Sequence, residues 1–185
     1  MAVEEPSFKT ALREGAFEVR DYPPLVAAEV VVPGSRDQAS NAGFRLLAAY
    51  IFGGNRSRQS IAMTAPVVQA RSAGQSIAMT APVLQTGSNG AWTVRFIMPS
   101  KYPLESLPVP NDPRIQFRAL PATRFAVIRF SGLARAGDVA AKTTELNAAI
   151  AAHRLHAIGP ALLARYDPPW TPWFARRNEV MIPVQ

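Results

Sequence analysis

Arginine is the residue type through which this sequence could bind a charged ligand. The formal net charge is +7 and lysine occurs only at positions 9, 101 and 142, so most of the positive charge is arginine. The forked donors of a guanidinium match carboxylate and phosphate groups better than an ammonium does. A nucleic-acid binder gathers its cations on one face or helix, whereas these arginines are spread along the chain. We expect no nucleic-acid partner, and either an arginine-rich solvated surface or a few arginines that frame a site for an anionic ligand.

Residue types that catalyse reactions or hold metals are scarce. The sequence has no cysteine, which excludes disulfides, iron–sulfur clusters, thiolate zinc sites and a cysteine nucleophile. Ser131 lacks the Gly-x-Ser-x-Gly frame of a nucleophile elbow. Neither a His-Glu-x-x-His motif nor a paired-carboxylate spacing occurs, and Asn111-Asp112 lies in a proline-rich stretch. We therefore expect a protein without enzymatic activity.

The elements that position these residues can be read from hydrophobic periodicity. The first half of the chain has strand patterns at residues 17–22, 25–32 and 91–98. Between them, Ser35 followed by Gln38 is a capping-box signature. An apolar helical stripe follows it and ends at Gly53-Gly54. The first half therefore contains one helix among its strands.

The same order of elements recurs 98 residues later, where residues 115–132 align without a gap with residues 17–34. Four identities coincide: Arg20 with Arg118, Pro23 with Pro121, Ala28 with Ala126, and Gly34 with Gly132. A second helix follows with Asp138 as its predicted N-cap, and further strands are predicted at residues 161–166 and 178–184.

Neither half could bury its helix and strands well alone. Combined, the halves predict an α+β architecture, a distorted antiparallel β-barrel or curved sheet from two pseudo-symmetric βαββ-type halves with two flanking α-helices. The halves span about 16–98 and 114–185 of one domain (1–185), joined by an extended proline-rich crossing at 99–113. Each helix leaves a groove against the sheet, where small ligands usually bind.

One nonapeptide is written twice, at residues 59–67 and 75–83. Two apolar runs with a short connection containing glycine predict a β-hairpin whose strands are near-copies. Proline cannot donate a ladder hydrogen bond, so Pro66 and Pro82 place these strands at a sheet edge, at a bulge, or in a strand that breaks at the proline.

The sequence also bounds the compartment. No apolar run reaches the roughly 18–20 residues of a membrane span, and no signal-peptide pattern precedes Glu4. As the chain stands, we expect a soluble cytoplasmic protein, or a periplasmic one if a signal peptide has been removed.

Five motifs in order carry a resemblance to a known family. They are Tyr50-Ile-Phe-Gly-Gly-Asn, Ile61-Ala-Met-Thr-Ala-Pro-Val, Val94-Arg-Phe-Ile-Met-Pro, Ala126-Val-Ile-Arg-Phe-Ser-Gly, and Arg165-Tyr-Asp-Pro-Pro-Trp with Arg176-Arg-Asn-Glu-Val. Together they resemble the SOUL haem-binding protein family, from about Phe17 to the C-terminus, and the doubled Met-Thr-Ala-Pro stretch is similar to its bacterial-type members.

The resemblance implies that the chain binds haem or a related tetrapyrrole in a hydrophobic cleft beside the first helix, as a carrier, buffer or sensor. A porphyrin requires a flat apolar slot and cations for its two propionates. The helix would supply one wall, and the proline-rich aromatic loop at 168–174 the other. We assign the ligand site to Arg45, Leu46, Leu47, Tyr50, Trp170, Trp173, Arg176, Arg177 and Glu179.

The iron ligand is open, with Met63, Met79 and His153 as candidates. Burial of roughly 600 Å² of apolar surface contributes about 15 kcal/mol, whereas association costs on the order of 4–15 kcal/mol. Micromolar binding is therefore feasible without an iron bond, and we predict that no histidine ligand is obligatory.

An alternative function rests on Glu179. The same architecture is similar to the effector-binding domains of multidrug-sensing regulators, in which a carboxylate on the last strand faces the cleft. A cleft that binds or hydrolyses hydrophobic cations or xenobiotics with Glu179 and Tyr50 is therefore the second hypothesis. The bland interpretation of Glu179 is a salt bridge to the neighbouring Arg176 or Arg177.

Overall fold

The computed structural model describes residues 4–71, 90–167 and 170–185. Within them the helices are α1 (Arg36–Ile51) and α2 (Ala136–Ala152), and the strands are β1 (Lys9–Glu14), β2 (Phe17–Tyr22), β3 (Leu25–Pro33), β4 (Val67–Arg71), β5 (Ala91–Ile97), β6 (Gln116–Leu120), β7 (Thr123–Ser131), β8 (Leu162–Arg165) and β9 (Arg177–Pro183). Single 3-10 turns lie at Leu104–Ser106 and Trp173–Ala175. Neither α1 nor α2 is long and apolar enough to cross a membrane.

The strands form one antiparallel sheet in the order β1-β2-β7-β9-β8-β4-β5-β3-β6. Along β2 to β9, alternate side chains lie on the side of the two helices or on the side of a shared pocket. We call these sides the helix face and the inner face. Eight strands, β2 to β9, contribute to that one pocket, so the sheet curls around it. This confirms the predicted α+β architecture.

The pseudo-symmetry predicted from the 98-residue offset is visible in the strand register. Arg20 of β2 pairs with Phe125 of β7, and 98 residues away from each, Arg118 of β6 pairs with Ala27 of β3. Gly34 and Gly132 both adopt left-handed backbone angles, with φ of +118° and +117°, one turn before α1 and α2. Glycine adopts positive φ readily because it has no Cβ. This explains why both equivalent turns contain a glycine.

Helix α1 begins at the predicted capping box. The backbone N–H of Gln38 donates to Ser35 Oγ, and the Gln38 side chain accepts from the Ser35 N–H at 3.2 Å. Gly43 lets the helix approach the sheet closely, because a Cβ there would lie 2.6 Å from Val94 Cγ2 of β5. Apolar residues of three regions form the core beneath α1. They are Leu47, Tyr50 and Ile51 of the helix, Val30 and Phe96 of the sheet, and Leu107 and Ile115 of the segment between β5 and β6.

Helix α2 covers β2, β7 and β9, where its Leu146 and Ile150 are buried. It begins at Ala136 with Arg135 as N-cap, so the prediction of Asp138 as the N-cap is wrong. Asp138 instead accepts the backbone N–H of Arg135 at 3.0 Å from inside the first turn. An acid at this third helical position satisfies the backbone N–H of the N-cap residue, as the corresponding residue of a capping box does.

The first copy of the nonapeptide is not a strand. Ser60 and Thr64 form only isolated bridges, and β4 begins at Val67, directly after Pro66. Of the three predicted arrangements, the strand breaks at the proline, and β4 lies inside the sheet between β8 and β5. The second copy lies outside the described residues, so the hairpin between the two copies stays a prediction.

Two other segments differ from their predictions. The weakly patterned N-terminal residues include strand β1 at one edge of the sheet. The crossing at residues 99–113 is not a purely surface segment, since Leu107 is 7% exposed and packs under α1. Extended proline-rich chain can therefore form a wall of the core when it carries apolar side chains between its prolines.

Candidate functional site

The predicted helix residues differ in their access to ligand. Leu47 and Tyr50 are buried in the core under α1, Leu46 is partly buried, and Arg45 is exposed. The Tyr50 hydroxyl donates to the carbonyl of Pro108 at 3.0 Å, and burial raises the pKa of Tyr50 to about 12. Leu47 and Tyr50 therefore stabilise the helix against the sheet and do not line an open slot.

The predicted aromatics lie on a loop between β8 and β9, which we call the aromatic loop (residues 170–176). Trp170, Trp173 and Phe174 are 83%, 61% and 64% exposed. The rings of Trp173 and Phe174 meet edge to face, with centroids 5.8 Å apart. Three large exposed apolar side chains so close in sequence mark an interaction surface.

Beside this loop lies a set of three arginines, Arg36, Arg165 and Arg176, which we call the arginine cluster. Arg165 is the last residue of β8 before the loop, and its side chain reaches α1, where Nη1 donates to Ser40 Oγ at 3.4 Å. Arg36, in the first turn of α1, and Arg165 both have Nη2 near the carbonyl of Ala134, at 3.0 and 3.5 Å. The helix packing thus brings the start of α1 to the base of the aromatic loop.

The positive charges of the arginine cluster repel one another and are partly buried. The Nε groups of Arg36 and Arg165 are buried and have no hydrogen-bond partner. Burial lowers the pKa of Arg165, and the charges of Arg36 and Arg176 reinforce that shift while Asp37 opposes it. Asp37 contacts both Arg36 and Arg165, at 4.0 and 3.6 Å. An additional anion at the partly exposed side chain of Arg165 would offset the repulsion among these positive charges.

Glu179 lies on the inner face and is 2% exposed. Arg20 Nη1 and Nη2 donate to its two carboxylate oxygens at 2.8 and 3.0 Å, and the Tyr166 hydroxyl donates to Oε2 at 2.6 Å. Arg20 Nε also donates to Glu18 at 2.6 Å. Burial would lower the pKa of Arg20, but the bonds and charge of Glu179 raise it, so the guanidinium stays charged. Burial and the charge of Glu179 raise the pKa of Tyr166, so its phenol stays a donor.

The adjacent residues Arg176 and Arg177 serve different faces. Arg176 Nε donates to the carbonyl of Thr171 within the aromatic loop at 2.8 Å. Arg177 forms a 2.5 Å ion pair with Glu5, and its guanidinium lies 3.6 Å from the centre of the Tyr166 ring. Arg176 therefore lies beside the predicted ligand surface, whereas Arg177 ties the N-terminal segment to the inner face.

Among the described residues, no group of three or more His, Asp or Glu side chains could hold a metal ion. His153, the C-cap of α2, stacks on Phe17 with ring centroids 5.0 Å apart and lies 3.2 Å from Glu14. Met63 packs against the core under α1, and Met79 lies outside the described residues. The structure thus does not bring His153 or Met63 to the aromatic loop.

The nine predicted residues therefore do not form one cleft. Glu179 faces inwards, Leu47 and Tyr50 are core residues, and the exposed aromatics lie on the loop that follows Arg165. Arg165 and Arg36 lie together at the start of α1, and the sequence interpretation left both out. Arg165 had a detectable signal, since it opens the Arg-Tyr-Asp-Pro-Pro-Trp motif.

The sequence interpretation also missed the buried salt bridge between Arg20 of β2 and Glu179. The alternation of apolar and polar residues in β2 is typical of a half-buried strand, but both faces of β2 are buried: Glu18 is 8% and Arg20 4% exposed. Because the sheet curls, polar residues on the inner face need partners from other strands.

Comparison with known proteins shows which family the chain resembles in sequence. The family model described as SOUL heme-binding protein matches residues 3–183. Heme-binding protein 1 of Xenopus tropicalis is 27% identical over 166 residues, which cover 89% of this chain and 82% of that protein.

Solved structures show the same fold at low identity. A hydrolase from Listeria innocua has a TM-score of 0.60 at 11% identity, over 95% of this chain and 94% of its own. SAV2435, solved bound to tetraphenylphosphonium, has a TM-score of 0.51 at 12% identity, over 91% and 93%. These likenesses concern the fold alone, whereas the family model spans nearly the whole chain. The chain belongs to the SOUL heme-binding protein family.

Proposed function

We propose that this protein binds haem or a related tetrapyrrole without catalysing a reaction, as a carrier, buffer or sensor. The ligand lies on the helix side, between the aromatic loop and the arginine cluster. Family membership supports the class of ligand. The observation that carries the location is the loop with exposed Trp170, Trp173 and Phe174, which follows the partly exposed Arg165 at the end of β8.

The two parts of this surface match the two parts of a porphyrin. The macrocycle is flat and apolar, and aromatic side chains gain by stacking on such a ring. The propionates are carboxylates, for which arginine provides charge-assisted, forked hydrogen bonds. Arg36 and Arg165 would hold the propionates, and Trp170, Trp173 and Phe174 would contact the ring.

Iron is not needed for this mode of binding. Residues 166–177 contain no histidine, methionine or cysteine, so the loop offers no usual nitrogen or sulfur ligand to iron. Affinity then comes from the ring and the propionates. Metal-free protoporphyrin IX should bind about as tightly as hemin.

A second candidate is a hydrophobic cation held by Glu179, favoured by the fold shared with SAV2435, which was solved with such a cation. Against it, Glu179 already receives two hydrogen bonds from Arg20 and one from Tyr166. Tyr50, its proposed partner in this hypothesis, lies under α1 on the helix face. The tetrapyrrole proposal therefore accounts for more of the geometry.

Titration with hemin and with protoporphyrin IX, followed by absorbance and tryptophan fluorescence, tests the proposal. We expect saturable 1:1 binding of both at micromolar concentrations. Trp173→Ala should weaken both at least tenfold. Phe52→Ala is the matched control, because Phe52 is 69% exposed but lies at the opposite end of α1 from Arg36.

Three results would contradict the proposal: no saturable porphyrin binding, equal weakening by both variants, or a Soret shift that disappears in His153→Ala. Tetraphenylphosphonium is titrated in parallel. Tight binding that is lost in Glu179→Gln would establish the second candidate instead.

A further inference from the structure

The inner face of the sheet contains a pocket of about 140 Å³, apart from the tetrapyrrole surface on the helix side. Its wall is almost wholly apolar and comes from β2 to β9. The residues that define its shape are Tyr22, Val68, Ile97, Phe125, Leu162 and Met181. Val68 and Met181 are 9% and 5% exposed, so this part of the wall is nearly closed to solvent.

The charged groups at this pocket are held in ion pairs within the chain. Arg95, which lines it, donates from Nε to Glu29 at 2.6 Å, and Arg118 donates to the other oxygen of Glu29 at 2.8 Å. Arg118 and Arg95 hold the pKa of Glu29 below its usual range, although burial alone would raise it. A buried carboxylate with two guanidinium partners has no unmet need for a cation.

The salt bridge between Arg20 and Glu179 lies next to the pocket, and Tyr22 connects the two. The Tyr22 ring lines the pocket, and its hydroxyl accepts a hydrogen bond from Arg20 at 3.3 Å. Arg20 in turn forms the two-point bond with Glu179, which lies two residues before Met181 on the same face of β9. Arg20 thus neutralises the carboxylate that would otherwise favour a cation here.

We infer that the inner pocket binds a neutral, apolar small molecule, or the apolar end of a larger neutral one. A cation entering it would have to lose its hydration without a free carboxylate, and an anion would meet only Arg95, whose Nε already donates to Glu29. The size sets the buried part of the ligand, because an engineered apolar cavity of about 150 Å³ in another protein binds benzene. A single aromatic ring or a short alkyl chain fits this volume.

A neighbouring pocket of about 470 Å³ provides room for the rest of such a ligand. It shares Pro6, Pro23, Leu25 and Ile97 with the apolar pocket and has a more polar wall. Pro6 belongs to the N-terminal segment, which Glu5 anchors through its ion pair with Arg177. A neutral polar group at the far end of the ligand would lie in this second space.

Three probes of nearly equal size test the charge preference at pH 7: benzyl alcohol, benzylammonium and benzoate. Binding is followed by NMR shifts of the methionine methyl groups and by thermal stabilisation. We expect saturable shifts with benzyl alcohol, and affinity at least tenfold weaker for both ions. The hemin titration should be unchanged, because the two sites lie on different sides of the sheet.

Two tryptophan substitutions on the edge strand β6 test the location. Leu120→Trp places the new side chain in the pocket that Leu120 lines, whereas Ala119→Trp adds the same group at an exposed position on the other face of the strand. Leu120→Trp should weaken benzyl alcohol at least tenfold, and Ala119→Trp should leave it unchanged. Equal binding by the two variants, no binding by the wild type, or a wild-type preference for either ion would overturn the inference.

Arg20→Met tests the cause of the preference. Without Arg20, Glu179 keeps only Tyr166 of its three side-chain bonds, so the affinity for benzylammonium should rise at least tenfold. Circular dichroism checks that the variant is folded. If it is not, the comparison of Leu120→Trp with Ala119→Trp decides the location and the wild-type probe series decides the charge preference.

Discussion

Arg20 and Glu179 form a two-point salt bridge that spans the intervening strand β7, with N–O distances of 2.8 and 3.0 Å. The two residues are 4% and 2% exposed. The bridge joins the first half of the chain to its last strand, and it removes the free carboxylate that a cation site on the inner face would need. It therefore links the stability of the sheet to the choice of ligand.

Breaking this bridge should be costly. Arg20→Met is expected to lower the free energy of unfolding by about 3–5 kcal/mol, because it leaves Glu179 buried with an uncompensated charge. The double variant Arg20→Met/Glu179→Met should recover part of that loss. Urea unfolding followed by circular dichroism measures both.

The control is the exposed pair of Arg124 and Asp21, which is also a two-point salt bridge, formed by Arg124 Nε and Nη2 at 2.7 and 3.0 Å. Arg124→Met should cost much less than Arg20→Met, because solvent screens surface pairs. If Arg20→Met and Arg124→Met destabilise the protein equally, burial does not set the strength of the inner pair.

The arginine cluster should act on ligand carboxylates in particular. Arg165→Gln is expected to weaken hemin about tenfold and to leave hemin dimethyl ester nearly unaffected, since the ester lacks the propionate charges. Arg154→Gln is the control, because Arg154 is exposed beyond the far end of α2. Absorbance titrations of the two ligands give the four affinities, and equal losses for acid and ester would argue against propionate binding at Arg165.

The sequence predicts those features whose interacting residues are close together in the chain, and it misses contacts between distant residues. The capping box of Ser35 and Gln38 and the repeat of Gly34 at Gly132 are local patterns, and both appear in the fold. The partner of Glu179 is not local. Its sequence neighbours are arginines, yet the residue that binds it is 159 positions away, because strand order decides which side chains meet.

The residues of the candidate surface also divide into those that the sequence identifies and those that only the fold brings together. The aromatics at 170, 173 and 174 could be identified from composition, since proline and tryptophan are clustered there. The contribution of Arg36 could not, because Arg36 comes close to Arg165 only through the packing of α1 on the sheet. The burial of Tyr50 depends on a proline-rich segment that the sequence presents as surface.

Two glycines in helices should respond oppositely to alanine. Glycine to alanine normally stabilises a helix by up to about 1 kcal/mol, and Gly137 of α2 has open space around its position, so Gly137→Ala should stabilise. At Gly43 a Cβ would lie 2.6 Å from Val94 Cγ2, so Gly43→Ala should destabilise by about 1–3 kcal/mol. Thermal unfolding of both variants checks the sign, and stabilisation by Gly43→Ala would mean that α1 can move away from β5.

Tyr50 should make the protein sensitive to alkaline pH. Burial raises its pKa to about 12 in the folded state, against about 10 in an unfolded chain. The unfolded state therefore loses this proton first. The contribution of Tyr50 to stability is complete below pH of about 10 and is lost as the pH rises towards 12, with a slope of about 1.4 kcal/mol per pH unit.

Tyr50→Phe isolates this effect. Near neutral pH the variant should be less stable by about 0.5–1.5 kcal/mol, because the hydrogen bond to the Pro108 carbonyl is lost. Above pH of about 10 the wild type should lose stability faster than the variant, since only the wild type carries the Tyr50 proton. Tyr22 and Tyr166, whose pKa values are also raised by burial, remain in both proteins and cancel in the difference. Urea unfolding from pH 7 to 11.5 measures that difference, and a constant value across the range would show that Tyr50 does not keep its proton in the folded state.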